Sequence, residues 1–146
     1  MADGFLRVKL LREGARVPER ATEGSTGLDL YACLDAPGYM DLGPDVTRVP
    51  TGVALEVPIG FDVQVRPRSG LSIRGVNVIL GTADSDYRGE IFVAMHTFGS
   101  CSSYRMEHGD RIAQLVVIRF EVLPIVLVEE LSDSTRGTGG YGSTGR

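Results

Sequence analysis

Short apolar or alternating runs, separated by Gly, Pro and Asp, recur along this chain. They are rich in Val, Ile and Phe, which favour strands, and they cover residues 5–11, 52–57, 61–65, 76–80, 90–98, 111–120 and 122–131. A short helix after Ser69-Gly70-Leu71 is the only helix that the pattern suggests. Several strands at this spacing predict an all-β fold, either a barrel, a sandwich or a jelly roll.

The apolar residues at 116–120 and 122–128 follow one another almost without a break. A chain of 146 residues has little core in which to bury them all. The run therefore predicts a subunit interface, with the core of the same subunit as the alternative. The length predicts one β domain at 1–132, followed by a Gly-rich tail at 133–146.

Composition narrows the class of protein. The net charge of −4 argues against a general nucleic-acid coat, although local positive contacts would still admit an anionic ligand. No apolar run approaches the roughly 20 residues that span a membrane, and Arg7, Lys9 and Arg12 interrupt the apolar residues near the start. We therefore expect a cytoplasmic protein that binds neither nucleic acid nor membrane. Two cysteines and two histidines predict neither a disulfide scaffold nor a zinc site.

The tail has a composition suited to phosphates and flat rings. Arg136 offers a bidentate fork, Ser143 a hydroxyl and Tyr141 a stacking face, while the glycines let the backbone approach a ligand closely. This predicts a tail that is mobile when empty and ordered on a ligand, and a merely disordered end is the alternative. The GxGxxG spacing at 137, 139 and 142 does not predict a dinucleotide site, because no strand and helix enclose it.

Polar residues also cluster in two segments early in the chain. Asp29 stands between two leucines, so its side chain points opposite to theirs, where it can hold a metal's water shell or an arginine. An ordinary strand-start aspartate is the alternative. Further on, Arg68 and Ser69 present two phosphate donors side by side, and Gly70 permits a close approach.

Two later segments carry further candidates. Residues 81–90 suggest a tight hairpin, in which Asp84 and Asp86 share one side if the segment is extended. Asp84 is charged at neutral pH and can act as a base. In the segment at 108–115, alternation would put Arg111 with Ala113 and Leu115, and Ile112 with Gln114. An inward Arg111 would need an acid partner, and Gln114 could offer its amide to a phosphate.

Taken in order, these segments resemble the five motifs of the trimeric dUTP pyrophosphatase (dUTPase) family. The matching stretches are GLDL at 27–30, PRSGL at 67–71, DSDYRG at 84–89, GDRIAQL at 109–115 and RGTGGYGSTG at 136–145. The resemblance implies a β jelly roll, a homotrimer with shared active sites, and Mg²⁺-dependent hydrolysis of dUTP to dUMP and pyrophosphate. Such an enzyme supplies dUMP for thymidylate synthesis and keeps uracil out of DNA.

The same resemblance implies roles for individual residues. Asp84 would orient and deprotonate the attacking water, Tyr87 would pack under the deoxyribose, and the backbone of Gly81 and Thr82 would pair with uracil. Asp29 would support the metal through water. Phosphate contacts from a neighbouring subunit would come from Arg68, Ser69, Gly70 and Gln114. Tyr141 would stack on uracil while Arg136, Gly142 and Ser143 close over the phosphates.

The sequence departs from the family pattern at a few positions, and two other functions are still possible at this point. Ala83 stands where the family usually has a larger aliphatic residue, Val78 where it often has Asn or Ser, and Asn77 lies one position away. A dCTP deaminase shares the fold but uses a Glu base, where this chain has Asp84. The other alternative is a catalytically silent nucleotide-binding protein, against which Asp84 and the whole tail argue.

Overall fold

The structure, a computed structural model, describes residues 4–140. It has ten strands and one short helix in this part of the chain. In chain order they are β1 (Arg7–Leu10), β2 (Leu28–Tyr31), β3 (Tyr39–Leu42), β4 (Thr47–Glu56), β5 (Phe61–Arg66), α1 (Ser69–Ser72), β6 (Val76–Val78), β7 (Gly81–Ala83), β8 (Glu90–Thr97), β9 (Tyr104–Glu107) and β10 (Arg111–Arg119).

The strands form two four-stranded sheets and a two-stranded ribbon, with every named pairing antiparallel. One sheet has the order β1-β4-β8-β6, the other β2-β10-β5-β7, and β3 pairs with β9. Most neighbours in the sheets are far apart in sequence. The ten strands confirm the all-β expectation. The one helix of the described residues is not long and apolar enough to cross a membrane.

The core lies between the two larger sheets, because their facing sides share one apolar cluster. Strand β8 shows the underlying pattern: Ile91, Val93 and Met95 are buried, whereas Phe92 and Ala94 on the other side are half-buried. This alternation is the expected result when one face of a strand packs against a second sheet. The ribbon closes the same core with Leu42 and Met106.

Six of the predicted strands correspond to β1, β4, β5, β6, β8 and β10. The predicted strand at 122–131 is wrong, since the chain forms no strand there and its apolar side chains are exposed. Ile125 and Leu127 are 99% and 98% exposed, so the core of this subunit does not bury the run. Backbone pairing requires a neighbouring edge, which apolar character alone does not provide.

The hairpin predicted around 81–90 is right in its two flanking strands but wrong in its tight turn. Strand β6 pairs directly with β8, with Asn77 opposite His96, and the chain between them leaves that sheet. On this excursion it forms β7, which pairs with β5 in the other sheet. The segment thus links the two sheets.

The alternation predicted for the start of β10 fails for a local reason. Its pairing with β2 shifts register between Arg111 and Ala113, which is a β-bulge. A bulge adds one residue to one strand, so Ile112 and Ala113 are both buried despite being neighbours. Beyond the bulge Gln114 faces Asp29 of β2, and that pairing brings two predicted site residues together.

Candidate active site

A cavity of about 270 Å³ opens beside strand β7. Its lining includes Gly81, Thr82, Asp84 and Tyr87, four of the residues predicted for the site. Ala83 lines it as well, so the position where the sequence departs from the family pattern belongs to this wall. The small side chain leaves more room here than a larger aliphatic residue would.

Asp84 reaches the cavity from the turn that follows β7. The backbone N–H of Tyr87 donates to the carbonyl of Asp84 at 3.0 Å and closes that turn. Because the chain turns, Asp84 and Asp86 do not follow the alternation of an extended strand. Both residues are exposed, but Asp84 lines the cavity and Asp86 does not.

Two contacts hold the ring of Tyr87 against the residues that follow it. Its hydroxyl donates to the carbonyl of Glu90 at 2.9 Å. A Cβ on Gly89 would collide with the phenol, so the ring lies where only a glycine leaves space. Tyr87 remains 45% exposed, which leaves a ring face open to a ligand.

Strand β7 is the last strand of its sheet. On one side Gly81, Thr82 and Ala83 pair with Val65, Gln64 and Val63 of β5, respectively. An edge strand presents backbone N–H and C=O groups on its other side, where they can pair with a flat ligand that carries donors and acceptors. The cavity lies at this strand.

Asp29 is the anionic centre of a second group. Its carboxylate lies 3.2 Å from Nε of Arg68 and 3.4 Å from Nη1 of Arg111. Only 14% of the Asp29 side chain is exposed, so this charge needs such partners. Of the alternatives open for Asp29, the structure has the arginine contact. Arg111 does not face inward, because 52% of its side chain is exposed, but it too has Asp29 as its acid partner. Arg68 also donates from Nη1 to the carbonyl of Arg111 at 3.0 Å.

Gln114 belongs to this group through its neighbours. Its Nε2 donates to the carbonyl of Pro67 at 2.9 Å, next to Arg68. Gly27 lies so close that a Cβ there would collide with the Gln114 amide. A glycine at 27 is therefore needed for this amide to keep its position.

Ser69 and Gly70 begin helix α1 and are exposed. The first N–H groups of a helix have no partner within it, so they are available to an oxyanion. A second cavity of about 210 Å³ lies beside this point and is lined by Arg68, Arg74 and Arg111, among others. None of the residues that line it also lines the Asp84 cavity.

Within the tail, the structure describes residues up to 140. Arg136 is exposed and donates from Nε to the carbonyl of Gly139 at 2.7 Å, a contact inside its own turn. The predicted contacts of Tyr141, Gly142 and Ser143 lie outside the described residues. The tail's grip on phosphate therefore stays a prediction.

Sequence reasoning missed two residues of the first cavity's surroundings. Glu90 lines the cavity, and its carboxylate binds the guanidinium of Arg12, which precedes all five motifs. The hydrogen bond to Glu90 is the main cause that raises the pKa of Arg12 above its ordinary value. The two residues are 78 positions apart, and no local pattern marks them as partners.

The residue whose role was left open, Asn77, has a partner on the adjacent strand. Its Nδ2 lies 3.0 Å from Nε2 of His96, and Nδ1 of His96 lies 3.0 Å from the carbonyl of Thr97. Asn77 does not line the Asp84 cavity, and Val78 is a buried core residue.

An acid at one cavity and arginines at another suit a ligand that carries phosphates. Comparison with known proteins narrows the class: the dUTPase family model matches residues 13–145. Deoxyuridine 5'-triphosphate nucleotidohydrolases of Treponema denticola and Anaplasma marginale are each 45% identical to the chain. The alignments cover 92% and 97% of this chain and 94% and 99% of the relatives, respectively.

Solved structures agree with the sequence relatives. The dUTPase of Staphylococcus bacteriophage 80alpha, determined with dUPNHPP, superposes with a TM-score of 0.86 at 30% identity, covering 97% of this chain and 99% of that one. The chain therefore belongs to the dUTPase family, as its five motifs indicated.

Proposed function

We propose that this protein hydrolyses dUTP to dUMP and pyrophosphate. The observation that carries the proposal is the cavity in which Asp84, Tyr87 and the edge strand β7 meet. Relatives named as nucleotidohydrolases of deoxyuridine 5'-triphosphate support the choice of substrate. In a cell the reaction would supply dUMP for thymidylate synthesis and keep uracil out of DNA.

In the proposed reaction Asp84 accepts a proton from a water molecule. The water oxygen attacks the α-phosphorus in line, the bond from that phosphorus to the bridging oxygen breaks, and pyrophosphate leaves. A carboxylate at a cavity wall is suited to this task, because it can accept a proton and must only reach the water. Positioning contributes as much as the base, since an in-line attack needs a fixed geometry.

Selectivity would come from β7 and Tyr87. The unpaired edge of β7 at Gly81 and Thr82 would pair with the donors and acceptors of uracil, and cytosine would mismatch them. Tyr87 would pack under the deoxyribose and leave no room for a 2′-hydroxyl. A mispaired polar edge costs far more than a missing methylene, so backbone pairing can separate similar bases.

The phosphates would meet the second group of residues on a neighbouring subunit of a homotrimer. In this chain Arg68, Ser69, Gly70 and Gln114 lie outside the lining of the Asp84 cavity. The exposed apolar run at 122–131 supports subunit contacts, since large apolar patches on a lone subunit are unfavourable. Arg136, Tyr141, Gly142 and Ser143 would close over the bound nucleotide.

The residues fit a Mg²⁺ ion carried by the triphosphate. Within residues 4–140, no three His, Cys, Asp or Glu side chains are grouped to hold a metal. Mg²⁺ commonly keeps several waters and takes its other ligands from substrate phosphates, so it needs no cage of side chains. Asp29, already bound by Arg68 and Arg111, would reach the ion through water. Bound in this way, the ion would neutralise phosphate charge.

The test is pyrophosphate release in the presence of Mg²⁺, with dUTP, dTTP, dCTP and UTP assayed side by side. We expect fast release from dUTP alone. No release from any nucleotide, with dUTP still bound, would instead indicate a silent binding protein. Ammonia release from dCTP would indicate a deaminase.

A further inference from the structure

An ion pair outside the five motifs connects the start of the chain to the Asp84 cavity. Nη2 of Arg12 lies 2.6 Å and 2.9 Å from the two carboxylate oxygens of Glu90. The same carboxylate accepts the backbone N–H of Gly52 at 2.7 Å. The side chains of Glu90 and Arg12 are only 15% and 31% exposed, so water screens this pair less than a surface pair.

The backbone around Arg12 holds the guanidinium in this position. The N–H of Leu11 donates to the carbonyl of Gly52 at 2.8 Å. Gly52 has a φ of +68°, and a Cβ there would press against Ala15 and Arg12. The register of β4 and β8 shifts between Pro50 and Ala54, so the ordinary ladder is interrupted where Glu90 binds. At that interruption, the Glu90 carboxylate accepts a hydrogen bond from the backbone N–H of Gly52.

Glu90 also determines where Tyr87 lies. Its backbone carbonyl accepts the Tyr87 hydroxyl at 2.9 Å, and its side chain lines the cavity. One residue therefore binds Arg12 through its carboxylate and Tyr87 through its carbonyl. A shift of the first residue of β8 would move both contacts together.

We propose that Arg12 is a positioning residue for Tyr87, acting through Glu90. This inference rests on the proposed function, in which Tyr87 excludes a 2′-hydroxyl from the sugar site. Arg12 lies one residue before the residues that the family model matches, and none of the five motifs includes it. Without Arg12, the Glu90 carboxylate would be left half-buried with too few donors and would turn toward water. Glu90, the first residue of β8, would then shift and move the backbone carbonyl to which Tyr87 is bonded.

Arg12→Gln tests the proposal, with the ratio of kcat/KM for dUTP to kcat/KM for UTP as the measurement. We expect this ratio to fall about fivefold, the scale of one lost hydrogen bond. Arg7→Gln is the matched control, because Arg7 of β1 also pairs with a glutamate, Glu56 of β4, but this pair is exposed. Its ratio should stay at the wild-type value, even if both variants melt at a lower temperature.

Two further variants separate positioning from general stability. Glu90→Gln keeps an acceptor for Gly52 but loses the charge, and it should lower the ratio as Arg12→Gln does. Tyr87→Phe removes the hydroxyl that binds the Glu90 carbonyl. In a Tyr87→Phe background, Arg12→Gln should therefore lower the ratio little further.

The outcomes distinguish this inference from the proposed function. A wild-type protein that does not hydrolyse dUTP would remove the proposed function. A selective wild-type enzyme whose Arg12→Gln and Glu90→Gln variants are equally selective would overturn only the positioning role. Full additivity of Arg12→Gln and Tyr87→Phe would also overturn it.

Discussion

At the scale of single residues, Asp84 is the proposed general base. Replacing it by Asn keeps size and shape but removes the base, so Asp84→Asn should lower kcat by roughly 10²–10⁴-fold. Binding of a non-hydrolysable dUTP analogue, measured by titration calorimetry, should stay nearly unchanged. Asp86→Asn is the matched control, because Asp86 sits two residues away on the exposed turn. Normal turnover in Asp84→Asn would rule out this base.

A second prediction at the residue scale concerns pH and the ribbon formed by β3 and β9. Arg105 donates from Nε and Nη2 to the two oxygens of Asp41 at 2.8 Å and 2.9 Å, which lowers the pKa of Asp41. A carboxyl whose pKa is lower in the folded than in the unfolded protein stabilises the fold at any pH above its unfolded pKa. This stabilisation is lost as the pH falls through the pKa of the folded state. The wild-type protein should therefore melt at a higher temperature than the Asp41→Asn variant at pH 7.

This difference in melting temperature should shrink as the pH falls below about 4. Asp45→Asn, at another exposed acid, is the control for a general effect of charge. A difference that stays constant from pH 7 to pH 3 would mean that the Asp41 pair does not act through protonation.

At the scale of elements, alternation predicted the strands whose one face is buried, as β5 and β8 illustrate. It missed β3 and β9, which have four residues each and pair only with each other. It also misread the link between β6 and β8, because the partner of β7 is β5 in the other sheet. Which edge a short segment joins depends on contacts far away in sequence, and these leave no local pattern.

The candidate site divides in the same way. The motifs identified Asp84, Tyr87, Gly81 and Thr82, and the structure brings these residues to one cavity. The Asp29 contact with Arg68 and Arg111 was one of several alternatives, since a sequence does not give distances. The sequence did not predict Arg12 as a site residue, because its partner Glu90 lies in a distant strand.

The tail is the element whose role is most directly testable. Deleting residues 136–146 removes the proposed phosphate and ring contacts but leaves all ten strands of the described chain intact. The truncated protein should keep its far-ultraviolet circular dichroism and its assembly, yet lose most hydrolysis of dUTP. Arg136→Ala in the full chain tests the guanidinium by itself. Near-native activity of the truncated protein would exclude a role for the tail in catalysis.

At the scale of the whole molecule, the exposed apolar run at 122–131 is the proposed contact with a neighbouring subunit. A charge at Leu127, which is 98% exposed here, would cost a lone subunit almost nothing but would be buried in an assembly. Leu127→Asp should therefore reduce the mass in solution from about three times 15.7 kDa toward a single subunit. Ile59→Asp, at another highly exposed residue, is the control. A trimeric Leu127→Asp protein would place the interface elsewhere.

Shared sites make a stronger prediction for the assembly. If Asp84 acts with Arg68 of a neighbouring subunit, trimers of Asp84→Asn alone or of Arg68→Ala alone are nearly inactive. Mixed trimers would contain sites in which an intact Asp84 meets an intact Arg68.

Random mixing of the two variants in equal amounts should restore about a quarter of the wild-type activity per site. In a cyclic trimer, about half of the sites have an intact Asp84, and about half of those meet an intact Arg68 on the neighbouring subunit. Refolding the variants together and assaying dUTP hydrolysis measures this, and refolding them separately before mixing is the control. If both residues of a site came from one chain, no mixture could contain an intact site, and activity would stay at the level of the single variants. The recovery therefore depends on which subunit supplies the arginine.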